Sequence, residues 1–384
     1  MAIHFSREEF DERLRRTLEA VAARGLDALL LFAPESQYWL TGFDSFGYCF
    51  FQCLLLRADG SLLLFTRAPD LRQAQRTSII PEVRLWVDRE GADPARELRA
   101  ILAEKRLSGR RLGVEWDTHG LTGANARRLL AALDGFARVE DASRLIPELR
   151  LVKSPAELAC LRRAGELADR ALEVACEETR PGADEARILA RMQGSVLEAG
   201  GDYPANPFII GSGEEALLCR YFSGRRRLAA RDRLTLEFAG VWRHYHACLM
   251  RTFLVGAADE EDRRLFSICA EALRACEERL RPGVTMGEVY AAHAATLDSY
   301  GLAPHRLNAC GYSLGARFAP SWMDWPMFYA DNPVRLQPGM AFFLHIIIAD
   351  SSRGRAMTLG RSSIIGRDGP EPLSRAPLEF VLQR

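Results

Sequence analysis

A seven-residue phrase, Cys176-Glu-Glu-Thr-Arg-Pro-Gly, returns in altered form as Cys276-Glu-Glu-Arg-Leu-Arg-Pro-Gly, with its Pro-Gly pairs at 181–182 and 282–283. The segments downstream of the two copies repeat as well. A helix is expected over 184–199 and again over 286–300, closed by Gly200-Gly201 and by Gly301. Each copy then enters a Gly-rich turn and an apolar hairpin, at 233–255 and at 340–365. A duplicated helix-hairpin unit cannot bury its apolar faces alone and folds by packing one copy on the other. If the copies pack about a pseudo-twofold axis, matching positions near that axis meet. Glu237 (Leu-Thr-Leu-Glu-Phe) and His345 (Phe-Phe-Leu-His-Ile) hold matching strand positions.

The first hairpin carries most of the chemistry. Leu234 to Val241 is an apolar strand interrupted by Glu237, and His244, His246 and Cys248 come next at alternate positions. Residues two apart on a strand share a face. Two imidazoles and a thiol are therefore expected along one wall near a carboxylate. An acid buried in an apolar strand costs several kcal/mol unless paired or neutralised, and such groups concentrate in active sites. A buried acid paired with Arg251 or Arg361 for structure alone is the plainer alternative.

A length of 384 residues favours two domains. Residues 1–150 alternate helices and strands, from a capped helix after Ser6 through strands at 26–32, 50–56, 61–65, 83–87 and 111–115, with 36–47 read as a loop. Lys153-Ser154-Pro155-Ala156-Glu157 opens a second domain over 151–384: N-cap serine, proline at the first helical position, glutamate three residues after the cap. Lys and Arg (51) balance Asp and Glu (51), so no basic excess points to nucleic acid or an anionic membrane. Apolar runs are too short to span a bilayer. Nine scattered cysteines without a C-x-x-C pair suggest reduced thiols in the cytoplasm.

At these residues the second domain resembles the creatinase, Xaa-Pro dipeptidase and methionine aminopeptidase superfamily, the pita-bread fold. Lys-Ser-Pro-Ala-Glu at 153–157, Met-Arg-Thr-Phe at 250–253, Gly-Tyr-Ser-Leu-Gly at 311–315 and Gln-Pro-Gly-Met-Ala-Phe at 337–342 carry the likeness. Tyr38-Trp-Leu-Thr-Gly-Phe43 resembles the N-terminal domain of the creatinase and prolidase branch. The resemblance implies an α+β protein: a creatinase-like α/β domain over 1–150, then a pita-bread domain with its internal repeat. It also implies a homodimer. Metallopeptidases of this fold hold two metals with two Asp, one His and two Glu. Aligned on the motifs, those positions are Glu237, Cys248, Tyr312, His345, and either Gly360 or Arg361. A dinuclear centre needs bridging carboxylates to offset two dications, so neither metal nor other cofactor is expected. The closer resemblance is to metal-independent members, creatinase and especially ectoine hydrolase, through Glu237-Phe-Ala-Gly, Arg243-His-Tyr-His, Gly311-Tyr-Ser-Leu-Gly and Ala319-Pro-Ser-Trp322. Those enzymes hydrolyse C–N bonds of amidine or guanidine carbons in small polar metabolites.

Roles follow from residue chemistry. Glu237 is expected as nucleophile or general base, with His345, and less so His246, moving protons. His244 is the weaker third imidazole, read alternatively as facing solvent near the hairpin turn. Cys248 is read either as a thiolate nucleophile or as a small buried hydrophobe, and His246, Cys248 and His345 as an alternative zinc site. Tyr312 is suited to donate a hydrogen bond to a developing anion. Arg220, with Tyr221 beside it, is expected to grip a substrate carboxylate, and Arg361 is a further substrate-binding candidate. Trp322, Asp324 and Trp325 form an aromatic-acid cluster suited to a delocalised C–N group, or to packing under a loop. The expected function is metal-independent hydrolysis of a non-peptide C–N bond in a small carboxylate-bearing molecule. A dipeptidase with a rebuilt metal site, a lyase on a small zwitterion and a non-catalytic binding protein are the alternatives.

Overall fold

The structure, a computed structural model, describes residues 3–220 and 224–383. It divides into two compact units, Met1–Arg150 and Leu151–Arg384. In the first, α1 (Arg7–Ala23) starts where the Ser6 side chain accepts from the Glu9 amide. After it come β1 (Ala28–Leu31), α2 (Pro34–Thr41), β2 (Cys53–Arg57), β3 (Leu62–Arg67), α3 (Asp70–Thr77), β4 (Glu82–Trp86), α4 (Pro94–Glu104), β5 (Arg111–Val114), α5 (Gly123–Leu133), β6 (Arg138–Asp141) and α6 (Leu145–Leu151). The strands form one mixed sheet in the order β4-β3-β2-β1-β5-β6. Separate apolar cores cover its two faces, as an α/β layer requires.

The first half of the expected loop at 36–47 is instead part of α2, every residue of which is buried, while 42–46 is irregular as expected. Pro34 stands in its first turn and Gly42, at φ 80°, ends it in the left-handed region. Its amino end is held by a buried carboxylate. Glu115 accepts from the amides of Phe32 and Ala33, at 3.0 and 2.9 Å, and from the Ser36 hydroxyl.

The second unit opens with α7 (Pro155–Glu178), whose capping box between Ser154 and Glu157 forms as the sequence suggests. It continues through α8 (Glu185–Glu198), β7 (Ile209–Ser212), β8 (Asp232–Trp242), β9 (Tyr245–Val255), α9 (Glu260–Glu278), α10 (Met286–Ser299), β10 (Ala309–Ser313), β11 (Asp324–Tyr329), β12 (Ala341–Asp350), β13 (Arg355–Ile365), β14 (Pro370–Pro372) and β15 (Val381–Gln383). The main sheet runs β11-β10-β12-β13-β9-β8-β7, antiparallel along that path, with β14 and β15 added beside β13 and β9. The two long hairpins thus meet through β9 and β13. α7 and α9 pack behind the sheet, as do the apolar residues of α10.

Pairing register decides which side chains share a face. Ile209 lies opposite Glu237, Glu237 opposite Met250, Met250 opposite Gly360, and Gly360 opposite His345. Directly paired residues point the same way, so this row crosses five strands on one face. Glu237 and His345, matched in the repeat, therefore stand on one wall with β9 and β13 between them.

Candidate active site

That wall lines a cavity of about 810 Å³, bounded among others by Asn206, Arg220, Glu237, Tyr312, Trp322 and His345. Glu237 sits at its polar end, 8% exposed. Tyr312, carried in by β10 opposite Phe343 of β12, donates its hydroxyl to Glu237 Oε1 at 3.1 Å. The Trp322 Nε1–H donates in turn to that hydroxyl at 2.8 Å. This relay of indole, phenol and carboxylate is the best-defined polar feature of the cavity. Burial pushes the Glu237 carboxyl up to about 7, against the opposing pull of the Tyr312 hydrogen bond and the Arg220 charge. The acid is therefore poised between protonation states near neutral pH. The Tyr312 phenol is driven upward, first by burial and then by the Glu237 charge, so it stays protonated and able to donate.

His345 does not touch Glu237. The two are linked through Tyr312, whose ring centroid is 5.9 Å from the His345 ring. Burial depresses His345 to about 3, with smaller contributions from His293 and Arg220, so the imidazole is neutral at physiological pH. Its Nδ1 is buried without a hydrogen-bond partner. His293, a buried imidazole on α10 close enough to influence it, is not singled out by the sequence; a lone His on a helix gives no signal of what it faces.

Several expected members stand outside the cavity lining or take other parts. His246 is fully buried outside the cavity lining, and its Nε2 accepts from the Ala205 amide at 2.9 Å. Burial lowers it to about 3, so it is a neutral structural group beside Trp322, with ring centroids 6.4 Å apart. Cys248 is fully buried against Tyr312, and its thiol is pushed well above the usual range, first by burial and then by Glu237. Its influential neighbours are a carboxylate and a phenol, not the imidazole or other cation that a thiolate nucleophile needs. His244 is not on a strand at all. Arg243 and His244 adopt φ of 52° and 66°, forming the tight β8–β9 turn, and the His244 ring stacks on Phe318 with centroids 4.1 Å apart.

Arg361 points to the helix-covered face, where Glu277 of α9 grips it at 2.5 and 2.7 Å. Gly360, not Arg361, belongs to the row on the cavity face. Arg251 is likewise turned away and donates to the Met250 and Gly360 carbonyls. Glu237 is therefore not a structural ion-pair partner of either arginine. Asp324 pairs with Arg317 at 3.4 Å, and Trp325 packs on the core behind the sheet, so neither lines the cavity. Trp322 and Met323 do. Arg220 is exposed in the cavity wall, and Tyr221 lies outside the described residues.

Residues 159–363 match the model of metallopeptidase family M24, and residues 13–152 that of the creatinase/prolidase N-terminal domain. This chain belongs to metallopeptidase family M24. It is 28% identical to an uncharacterized hydrolase/peptidase, y4tM, of Sinorhizobium fredii, over 99% of both chains. It is 27% identical to the ectoine hydrolase of Halomonas elongata, over 100% of this chain and 99% of the relative. Among solved structures, a prolidase from Thermococcus sibiricus superposes with a TM-score of 0.88 at 19% identity, over 97% of this chain and 99% of that one, a likeness of fold.

The M24 name raises the question of metal, and the donor set answers it poorly. Among the described residues no group of three or more His, Cys, Asp or Glu could hold a metal ion. The carboxylate already accepts from a phenol, the thiol is held protonated, and a glycine stands in the row between Met250 and His345. These residues do not fit the bridged dinuclear centre of the family.

The relay makes a prediction. In Tyr312→Phe the carboxylate loses the hydrogen bond that lowers its pKa, so the acidic limb of the kcat/KM profile, expected near pH 7, shifts to higher pH. A pH-rate profile of the two proteins checks this; an unmoved limb would mean that Glu237 is not the group titrating.

Proposed function

We propose that this protein is a metal-independent hydrolase that cleaves a non-peptide C–N bond in a carboxylate-bearing small molecule. One observation carries the reading: a buried carboxylate, Glu237, poised near neutral pH at the end of a cavity and hydrogen-bonded by Tyr312. In the proposed cycle Glu237 takes a proton from water as it adds to the carbon of the C–N bond. Once Glu237 is protonated it no longer draws the Tyr312 hydroxyl, which turns, with the neutral imidazole of His345, to donate toward the oxygen or nitrogen that gains charge. Glu237 then returns its proton to the departing nitrogen. Arg220, in the cavity wall, meets the substrate carboxylate as a fork of donors. The likeness to an ectoine hydrolase supports a hydrolytic reaction.

The test is a turnover screen of amides, amidines and cyclic amidines bearing a carboxylate, alongside elemental analysis of the purified protein. The expected result is hydrolysis that survives chelators, with well under one metal per chain. Two tightly held metals per chain with chelator-sensitive turnover, or cleavage of Gly-Pro and Ala-Pro on metal addition, would replace this reading with a metallopeptidase. We also propose a homodimer in the cytoplasm. All nine cysteines are free, which supports a reducing compartment.

A further inference from the structure

The cavity is much larger than its polar end requires. At about 810 Å³ it falls in the upper part of the range that buries drug-sized ligands, far beyond the needs of a small zwitterion. Three of its polar groups have an apolar neighbour beside them. Ile209 pairs with Glu237, Met327 pairs with Tyr312, and Ile347 lies two residues beyond His345 on the same strand face. Met323 adds a second thioether, and such unbranched side chains adapt to flexible apolar ligands. Two leucines from separate segments, Leu218 and Leu307, also line the cavity while 49% and 38% exposed. Among the described lining residues Arg220 supplies the cation, set to meet a carboxylate in a largely apolar surround.

From this geometry we propose that the substrate is an N-acyl amino acid: an amide with a linear aliphatic acyl chain on its carbonyl side and a carboxylate on its amine side. The proposal rests on Glu237 acting as base. The acyl chain lies along the methionine and isoleucine wall, and the carboxylate meets Arg220. Water oxygen bonds to the acyl carbon and its proton passes to Glu237. The C–N bond then breaks with its electron pair to nitrogen, which takes that proton. A fatty acid and a free amino acid leave, and Glu237 is regenerated as the carboxylate.

The test is calorimetric binding of acetyl-, butyryl-, hexanoyl- and octanoylglycine to the Glu237→Gln variant, with turnover of the same series by the unaltered protein. Affinity is expected to rise about three- to fourfold per added methylene. The slope should flatten in a Leu218→Asn, Leu307→Asn double variant, whose exposed positions tolerate polar side chains. Affinity that is flat or falls with chain length would overturn the proposal while leaving Glu237 as base for a smaller substrate. A rising slope with equal turnover by the unaltered and Glu237→Gln proteins would support the acyl cavity and sink Glu237 as base.

Discussion

Glu237→Gln is expected to lower kcat/KM by about a thousandfold, within the range general bases contribute, and to make the protein more stable at alkaline pH. The two effects together are diagnostic. Burial holds this carboxyl at about 7, above its ordinary 4.5. A group whose folded-state pKa is raised favours the folded state while protonated, so its contribution is complete below pH 4.5 and is lost as pH rises through about 7. That gap corresponds to roughly 3 kcal/mol. Glutamine has no charge to bury and escapes the loss. An acid kept only to satisfy a buried arginine would show the reverse, since removing it would leave a bare cation in the interior. Urea midpoints at pH 6 and pH 9, with kcat/KM from the substrate screen, separate the cases. A Glu237→Gln protein that is less stable at pH 9, or that keeps its turnover, would end the assignment of Glu237 as base.

This conjunction of lost activity and gained stability is what a functional compromise predicts. The sequence points to it because an acid interrupting an apolar strand is a local conflict between residue and surroundings. The duplicated phrase at 176–182 and 276–283 is equally readable, and it pairs His345 with the wall that carries Glu237. Other site residues cannot be located from the sequence because strand faces depend on register. Whether Gly360 or Arg361 faces the cavity depends on pairing across the turn between Asp350 and Arg355, which shifts a whole strand by one residue. The β10–β11 pairing shifts between Ala309 and Tyr312 and again between Tyr312 and Ser313. Alternation therefore fails, Met327 ends up opposite Tyr312, and Asp324 and Trp325 fall outside the cavity. The sequence offers the hairpin turn as an alternative place for His244, but not the turn's conformation: a two-residue turn normally announces itself with Asn-Gly or Asp-Gly, whereas here Arg243 and His244 take the left-handed conformations. α2 is hidden for a different reason: with both sides buried it has no polar face to give a helical period.

The second large effect is expected on folding, from one methyl group on the reverse face of the Glu237 strand. Gly240 lies three residues beyond Glu237 on β8, with the opposite facing, toward α7. A Cβ there would stand 2.0 Å from the Ala164 carbonyl oxygen and 2.3 Å from the Ala168 amide nitrogen. Both are helix backbone atoms, so no rotamer change relieves the clash, and the helix or strand must move bodily. α7 cannot retreat cheaply, because its first turn is fixed by the capping box and by the Tyr245 hydroxyl donating to Glu157 at 2.8 Å. Gly240→Ala should therefore destabilise the second unit by about 3 kcal/mol, at the upper end for overpacking, and Gly240→Val should fail to fold. The same substitution at Gly194, inside α8 with nothing within 4 Å of the added carbon, should instead stabilise by roughly 0.5–1 kcal/mol through helix propensity. Urea unfolding of the two alanine variants reads out opposite shifts in midpoint. If Gly240→Ala were neutral, β8 would not lie against α7 as described. The register that brings Glu237 beside Tyr312 would then have to be drawn again.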